Sequence, residues 1–426
     1  MREMKDSGIE WVGAISQDWQ LSKIGSLYTQ RNEKVSDKDY QPLSVTMQGI
    51  LPQLATAAKT DDGDNRKLVR VGDFAINSRS DRRGSCGISP LDGSVSLINI
   101  ILTPRTAMHP GYYNWLFHTT LFADEFYKWG HGIVADLWTT RWQEMKSITV
   151  PVPEYAEQER IAAFLDAECA EIDAVLEKTR ASIEEYKKLK QAVITQAVTK
   201  GIRGDRPMKN SGIEWIGDIP ESWEVSSVRY IGQLQNGISK GGEFFGKGFP
   251  FVSYGDVYKN YELPHSVSGL IDTTKDERAT YSVEYGDIFF TRTSETIEEV
   301  GFSCVCKRSI PNATFAGFII RLRPFCADEK ILTDYAKYYF RGEHIRAYLV
   351  KEMNLVTRAS LGQTLLKGMS VIVPPKSVQK EIAEYLDDKC ADIDALVAKK
   401  QQYLTEIENY KKSLIYEYVT GKKEIV

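Results

Sequence analysis

This 426-residue chain predicts two similar α+β domains, each followed by one long helix. Three observations carry that prediction. The run at residues 161–199, IAAFLDAECAEIDAVLEKTRASIEEYKKLKQAVITQAVT, returns at 382–420 as IAEYLDDKCADIDALVAKKQQYLTEIENYKKSLIYEYVT, at a constant offset of 221 with 10 of the first 18 pairs identical. The opening MKDSGIEWVGAI (4–15) returns as MKNSGIEWIGDI (208–219), with 9 of 12 positions identical at an offset of 204. Between these landmarks each half alternates short β-rich runs with Gly, Pro, Asn and Asp turns. A period above two hundred residues is too long for a solenoid unit, so each repeat is a whole domain plus its helix. The expected boundaries are 1–153 and 204–375 for the domains, and 154–203 and 376–426 for the helices.

Taken in order, Trp19 and Trp223 follow the two heads at matching places, and VRVGDFAINSRS (69–80) aligns with VEYGDIFFTRTS (283–294) at an offset of 214. Offsets rising from 204 through 214 to 221 mean that the second globular part has gained 17 residues while both ends kept their form. A shared frame with a diverged middle suggests two different specificities. Strand-like runs are expected at 41–47, 68–77 and 94–102, and at 249–257, 287–292 and 316–322; helical patches are expected at 112–128 and 331–351. Each domain closes on a strand and proline punctuation, SITVPVP (147–153) and SVIVPP (370–375), where the period switches from two to helical.

In the first long helix the apolar seam runs through Ile161, Leu165, Ile172, Leu176 and Ile183, and on to Tyr186, Leu189 and Val193. The second runs through Ile382, Leu386, Ile393, Val397 and Leu404, and on to Ile407, Tyr410 and Leu414. This is coiled-coil spacing. A helix of roughly 40 residues is about 60 Å long, more than a small domain needs for its own core, so its natural partner is its twin. Residues 201–207 (GIRGDRP) link the halves.

Composition sets the outer limits. With 42% hydrophobic and 26% charged residues the chain reads as a soluble globular protein, and its longest apolar runs fall far short of a membrane span. The start MREMKDSGIE has no apolar signal core, which points to the cytoplasm. Six cysteines without C-x-x-C pairing are expected to be buried free thiols. A net charge of −4, with 17 Lys+Arg against 17 Asp+Glu over residues 1–150, argues against indiscriminate nucleic-acid binding; a DNA-facing surface would need local segregation of charge.

Catalytic patterns fail where the chemistry needs them. GGEFFGKG (241–248) has phosphate-loop spacing, but Gly248 stands where a magnesium-holding hydroxyl belongs, Glu243 puts negative charge in the cradle and Pro250 stops the helix; a Gly-rich surface loop is expected instead. A base methyltransferase would need an Asn/Asp-Pro-Pro-aromatic turn, whereas Pro374-Pro375 lies between Val373 and Lys376. The five histidines are scattered and no metal-ligand set appears.

The shared head SGIEW, the strand-proline exits, the helix starts at 158–166 and 379–387, and KKSLIYEYVTG (411–421) together resemble the DNA-specificity subunit of type I restriction–modification systems. The first helix ends in TKG and the second in TGK, a small departure. The resemblance implies two target recognition domains, each reading half of a split, asymmetric double-stranded DNA sequence, and two long helices packed as an antiparallel coiled coil with a pseudo-twofold internal repeat. It implies as partners two methylation subunits, which hold S-adenosylmethionine, and restriction subunits, which use ATP and Mg; this chain is expected to bind no cofactor or metal and to catalyse nothing. The rival readings are a stand-alone DNA methyltransferase or nuclease, and a coiled-coil scaffold without DNA contact.

Within that reading the best DNA-binding loop of the first domain is NSRSDRRG, with Asn77, Ser78, Arg79, Arg82 and Arg83, whose donors suit guanine edges and phosphates. Thr291, Arg292, Thr293 and Ser294 hold the corresponding place in the second, with Arg292 aligned near Arg79. Lys59, Arg66, Lys67, Lys240, Lys247 and Tyr254 are supporting candidates.

Overall fold

The computed structural model describes residues 3–54, 63–132, 138–204, 206–294, 299–352 and 359–425. Two long helices, Tyr155–Lys200 and Lys376–Val419, are both cut by the boundary between two compact units. The first unit is Met1–Arg180 with Gln401–Val426, and the second is Ala181–Lys400, so each unit holds half of each helix. Among the described residues, no helix is long and apolar enough to cross a membrane.

The first unit is built on an antiparallel sheet in the order Cys86–Ile88, Phe74–Asn77, Asn99–Pro104, Tyr28–Arg31. Alternation decides its faces. Phe74, Ile76, Ile100 and Leu102 turn to the large core under the Pro110–Phe117 and Thr120–Lys128 helices, while Ala75 and Ile101 join Leu43, Ile50, Val69 and Val95 on the other side. The second unit repeats the plan in the order Ser303–Val305, Ile288–Thr291, Ile319–Pro324, Gly232–Asn236. There Ile288, Phe290, Ile320 and Leu322 face the Thr333–Tyr339 and Glu343–Glu352 helices, and Phe289, Cys304 and Ile319 face a second cluster.

Local chemistry refines several expected elements. The 68–77 run is two strands, Arg66–Val69 and Phe74–Asn77, parted by a turn whose Gly72 has φ +87°. The patch at 112–128 is two helices, because the Thr119 hydroxyl accepts from the Phe122 N–H at 3.2 Å and starts a new one. The 249–257 run changes from strand to the Tyr254–Lys259 helix at Ser253, which forms a reciprocal capping box with Asp256. The glycines at 241–248 belong to a short 3₁₀ turn and a bulged strand, Phe245–Val252, rather than to an open loop; a Cβ on Gly248, at φ +93°, would meet the Ile271 carbonyl at 2.6 Å. Five cysteines are buried and free, but Cys326, in the turn after Ile319–Pro324, is exposed.

Inside each unit the two helix halves run antiparallel. In the first, Asp173 takes both carboxylate contacts from Lys411, at 2.6 and 2.7 Å, and Phe164 lies 4.4 Å from Tyr418, centroid to centroid. In the second, Lys190 binds Asp394 at 2.7 and 2.8 Å. These are the same pair, 221 residues apart. Of the expected seam, Ile161, Leu165, Leu176, Ile183, Ile382, Leu386, Ile393 and Leu404 are buried, and Ile172 and Val397 are half-buried. Cys169, Cys390 and Thr179 also fill it. Leu189 and Tyr410 do not belong to it, being 48% and 56% exposed. Lys190 and Lys411 occupy that layer in both copies: their apolar stems lie along the seam while the ammonium reaches the opposite helix, which an apolar-pattern reading passes over.

The helix ends explain the repeated heads. The Tyr112 hydroxyl donates to the Val419 carbonyl at 2.8 Å, and Tyr335 donates to Val198 at 3.1 Å in the other unit. Gly421 (φ +72°) lies against Trp19 and Gly201 (φ +79°) against Trp223. Lys422 donates to the Val12 carbonyl at 3.1 Å, and Lys200 to Ile216 at 3.2 Å. TGK and TKG therefore supply the same two contacts in reversed order, a left-handed glycine under a tryptophan and a lysine tying down the head.

Candidate nucleic-acid interface

The candidate loops begin where each central strand ends, and their first residues are structural. Asn77 is 7% exposed and its Oδ1 accepts from the Arg79 N–H at 3.0 Å; Ser78, 5% exposed, donates to the Ile98 carbonyl. Thr291 is fully buried and its hydroxyl accepts from the Phe302 N–H at 2.9 Å. These side chains shape the rim. The exposed groups of the first loop are Arg79, Asp81, Arg82 and Arg83. Arg82 lies 3.9 Å from Asp81 with 70% of its side chain exposed, and Arg83 pairs with Asp124 over the Tyr127 ring.

Three basic candidates make contacts within the fold. Arg66, 4% exposed, donates through Nε and Nη2 to the hydroxyl and carbonyl of Ser94 at 2.8 and 2.9 Å, tying Arg66–Val69 to Gly93–Val95. Lys67 donates to the Asn99 carbonyl at 2.7 Å, and burial holds its ammonium below the usual lysine range. Lys240 is held by Glu277 at 2.7 Å and the Asp272 carbonyl at 2.9 Å. Lys247 is exposed on the bulged strand, and Lys59 lies outside the described residues.

The expected pairing of Arg292 with Arg79 is one place out. The Arg292 N–H donates to Phe318 O and its carbonyl accepts from Leu361, as Ser78 does with Ile98 and Thr140. Arg292 thus occupies the place of Ser78, and Thr293 that of Arg79. A one-residue shift in extended chain turns a side chain to the opposite face.

A return segment flanks both loops. Thr139 bridges Arg79 antiparallel, Trp138, 39% exposed, accepts from the Ser80 N–H at 2.9 Å, and in the second unit Ala359–Ser360 pairs with Thr293–Ser294. The structure gathers Tyr254 with Thr291 and Ser294: its hydroxyl meets both side chains, while burial raises its pKa. It also adds Tyr258, stacked on Tyr254 at 5.9 Å and 19°, whose hydroxyl donates to Glu299 at 2.9 Å. That carboxylate raises the pKa of the Tyr258 phenol. Beneath them the Arg341 guanidinium donates to the carbonyls of Val257, Tyr258 and Asn260 at 2.9, 3.0 and 2.7 Å, fixing the short helix. The i, i+4 tyrosines behind an S-x-x-D cap were the available sequence signal; Glu299 and Arg341, distant in sequence, gave none. Among the described residues, no group of three or more His, Cys, Asp or Glu is placed to hold a metal.

Residues 220–408 match the family model described as type I restriction modification DNA specificity domain. The chain is 24% identical over 276 residues to the StySPI specificity subunit of Salmonella potsdam, and 24% identical over 281 residues to the EcoKI specificity subunit of Escherichia coli K12; each match covers 65% of this chain and 58% of the relative. The chain therefore spans a little under three-fifths of the length of those curated relatives. A solved chain, described under complex assembly and conformational transition of the type I R-M system, shares the fold at a TM-score of 0.73 and 14% identity, over 96% of this chain and 99% of that one.

Proposed function

We propose, from the premise that the chain belongs to the family of type I restriction–modification DNA-specificity subunits, that it is a non-catalytic reader of a split, asymmetric DNA target. The observation that carries this reading is one frame built twice around different middles. The central sheets have the same strand order, and the helix ends make the same contacts. The diverged stretch carries a hairpin, Leu43–Thr46 with Gly49–Pro52, in one unit and the Tyr254–Lys259 helix in the other. Equal frames with unequal readers suit two unlike half-sites.

The partners follow from the same repeat. Val175 and Tyr410 in the first unit are 40% and 56% exposed, and their counterparts 221 residues away in the second, Leu396 and Leu189, are 42% and 48% exposed. Exposed apolar side chains at repeat-related places on the two long helices suit two copies of one partner, the methylation subunit with its S-adenosylmethionine. Restriction subunits supply ATP- and Mg-dependent cleavage, and the assembly works in the cytoplasm. Exchanging residues 17–145 for those of a relative, then mapping the methylated sites of cells expressing the complex, should change one half of the recognised sequence only. A change in both halves would overturn the reading.

A further inference from the structure

The two units carry opposite charges at the same sequence distance from one matched strand position. In the first, the Asn77 N–H donates to the Ser85 carbonyl at 2.9 Å; in the second, the Thr291 N–H donates to Phe302 at 2.9 Å. Ser85 and Phe302 are therefore equivalent, and three residues before each stand Arg82 and Glu299. Both are exposed, at the rim where the candidate loops end.

A phosphate contact would call for a cation or a hydrogen-bond donor in both units, because every phosphate carries the same charge. A base contact is free to differ. Arginine matches the acceptor edge of guanine, whereas a carboxylate can only accept, and in the major groove it matches an exocyclic amino group. Glu299 is already oriented for such a contact. Its Oε1 accepts from the Tyr258 hydroxyl at 2.9 Å and its Oε2 from the Ser294 hydroxyl at 3.1 Å, which aim the carboxylate and leave lone pairs on both oxygens. Among the described residues it has no ion pair.

We propose that this position selects bases in both half-sites, Arg82 reading a guanine and Glu299 reading the exocyclic amino group of cytosine or adenine. The proposal rests on the chain being a DNA reader. The test selects bound sequences from a randomised double-stranded DNA library, using the full chain co-purified with its methylation subunits. Glu299→Ala should lower the preference for an amino-bearing base at one position of one half-site by about tenfold or more, and leave the other half intact. Glu299→Arg should move that position towards guanine, and Arg82→Ala should relax a guanine in the opposite half. Variants that bind all sequences more weakly without changing any preferred base would overturn the assignment. A wild-type complex that enriches no sequence would instead remove the DNA-reading premise, and the two failures are thereby distinct.

Discussion

His344 enters the second core 3% exposed, with neither ring nitrogen hydrogen-bonded among the described residues and the Tyr339 ring 4.7 Å away. Burial pushes its pKa down to about 3. An unfolded histidine takes up a proton near pH 6.5, so between about 6.5 and 3 the unfolded state binds the extra proton. The stability contributed by neutral burial is complete above 6.5 and falls with pH by up to about 1.4 kcal/mol per unit. Denaturant unfolding at pH 7 and 5.5 should show wild type losing about 1 kcal/mol more than His344→Leu; equal losses would mean that this ring is protonated in the fold. Single residues were legible only in part. The Gly-Asp recurrence was plain, and both aspartates are buried at equivalent turns. Their guanidinium partners were not legible: Arg31 reaches Asp73 from the edge strand at 2.7 Å, while Arg323 reaches Asp287 from the adjacent strand at 2.7 Å. A partner that changes strand leaves no fixed spacing to read.

At the scale of elements, periodicity located both long helices and the antiparallel pairing followed from the family resemblance, yet the seam was misplaced in the same layer of each copy. Apolar counting favours Leu189 over Lys190 and Tyr410 over Lys411, but a seven-residue step from the buried Ile183 and Leu404 leads to the lysines, which reach across to Asp394 and Asp173. Ile194→Ala, at a site with no exposed surface, should destabilise the second unit by about 2–5 kcal/mol, whereas Leu189→Ala should change it by about 0.5 kcal/mol or less. Guanidinium unfolding followed by circular dichroism checks the order, and a larger loss at Leu189 would return that residue to the seam. The same Leu189 variant should weaken association with methylation subunits if the exposed apolar pairs are their seats.

At the scale of the molecule the duplication was legible because identical residues persist at both ends of each repeat. The division of each helix between two units was not, because it depends on which residues meet in space. Both helices run unbroken through the boundary at Arg180 and Lys400, and each unit closes its own antiparallel contacts, Asp173 with Lys411 and Lys190 with Asp394. A heptad added to one helix alone would have no matching length in its twin. Added after Arg180 and after Lys400 together, it preserves every pair inside each unit and lengthens both helices by about 10 Å, or roughly three base pairs of duplex. If the helices set the distance between the half-sites, the doubly extended chain should select both half-sequences unchanged, with the unread gap longer by about three base pairs, in the randomised-library experiment. An unchanged gap would show that another part of the complex measures it.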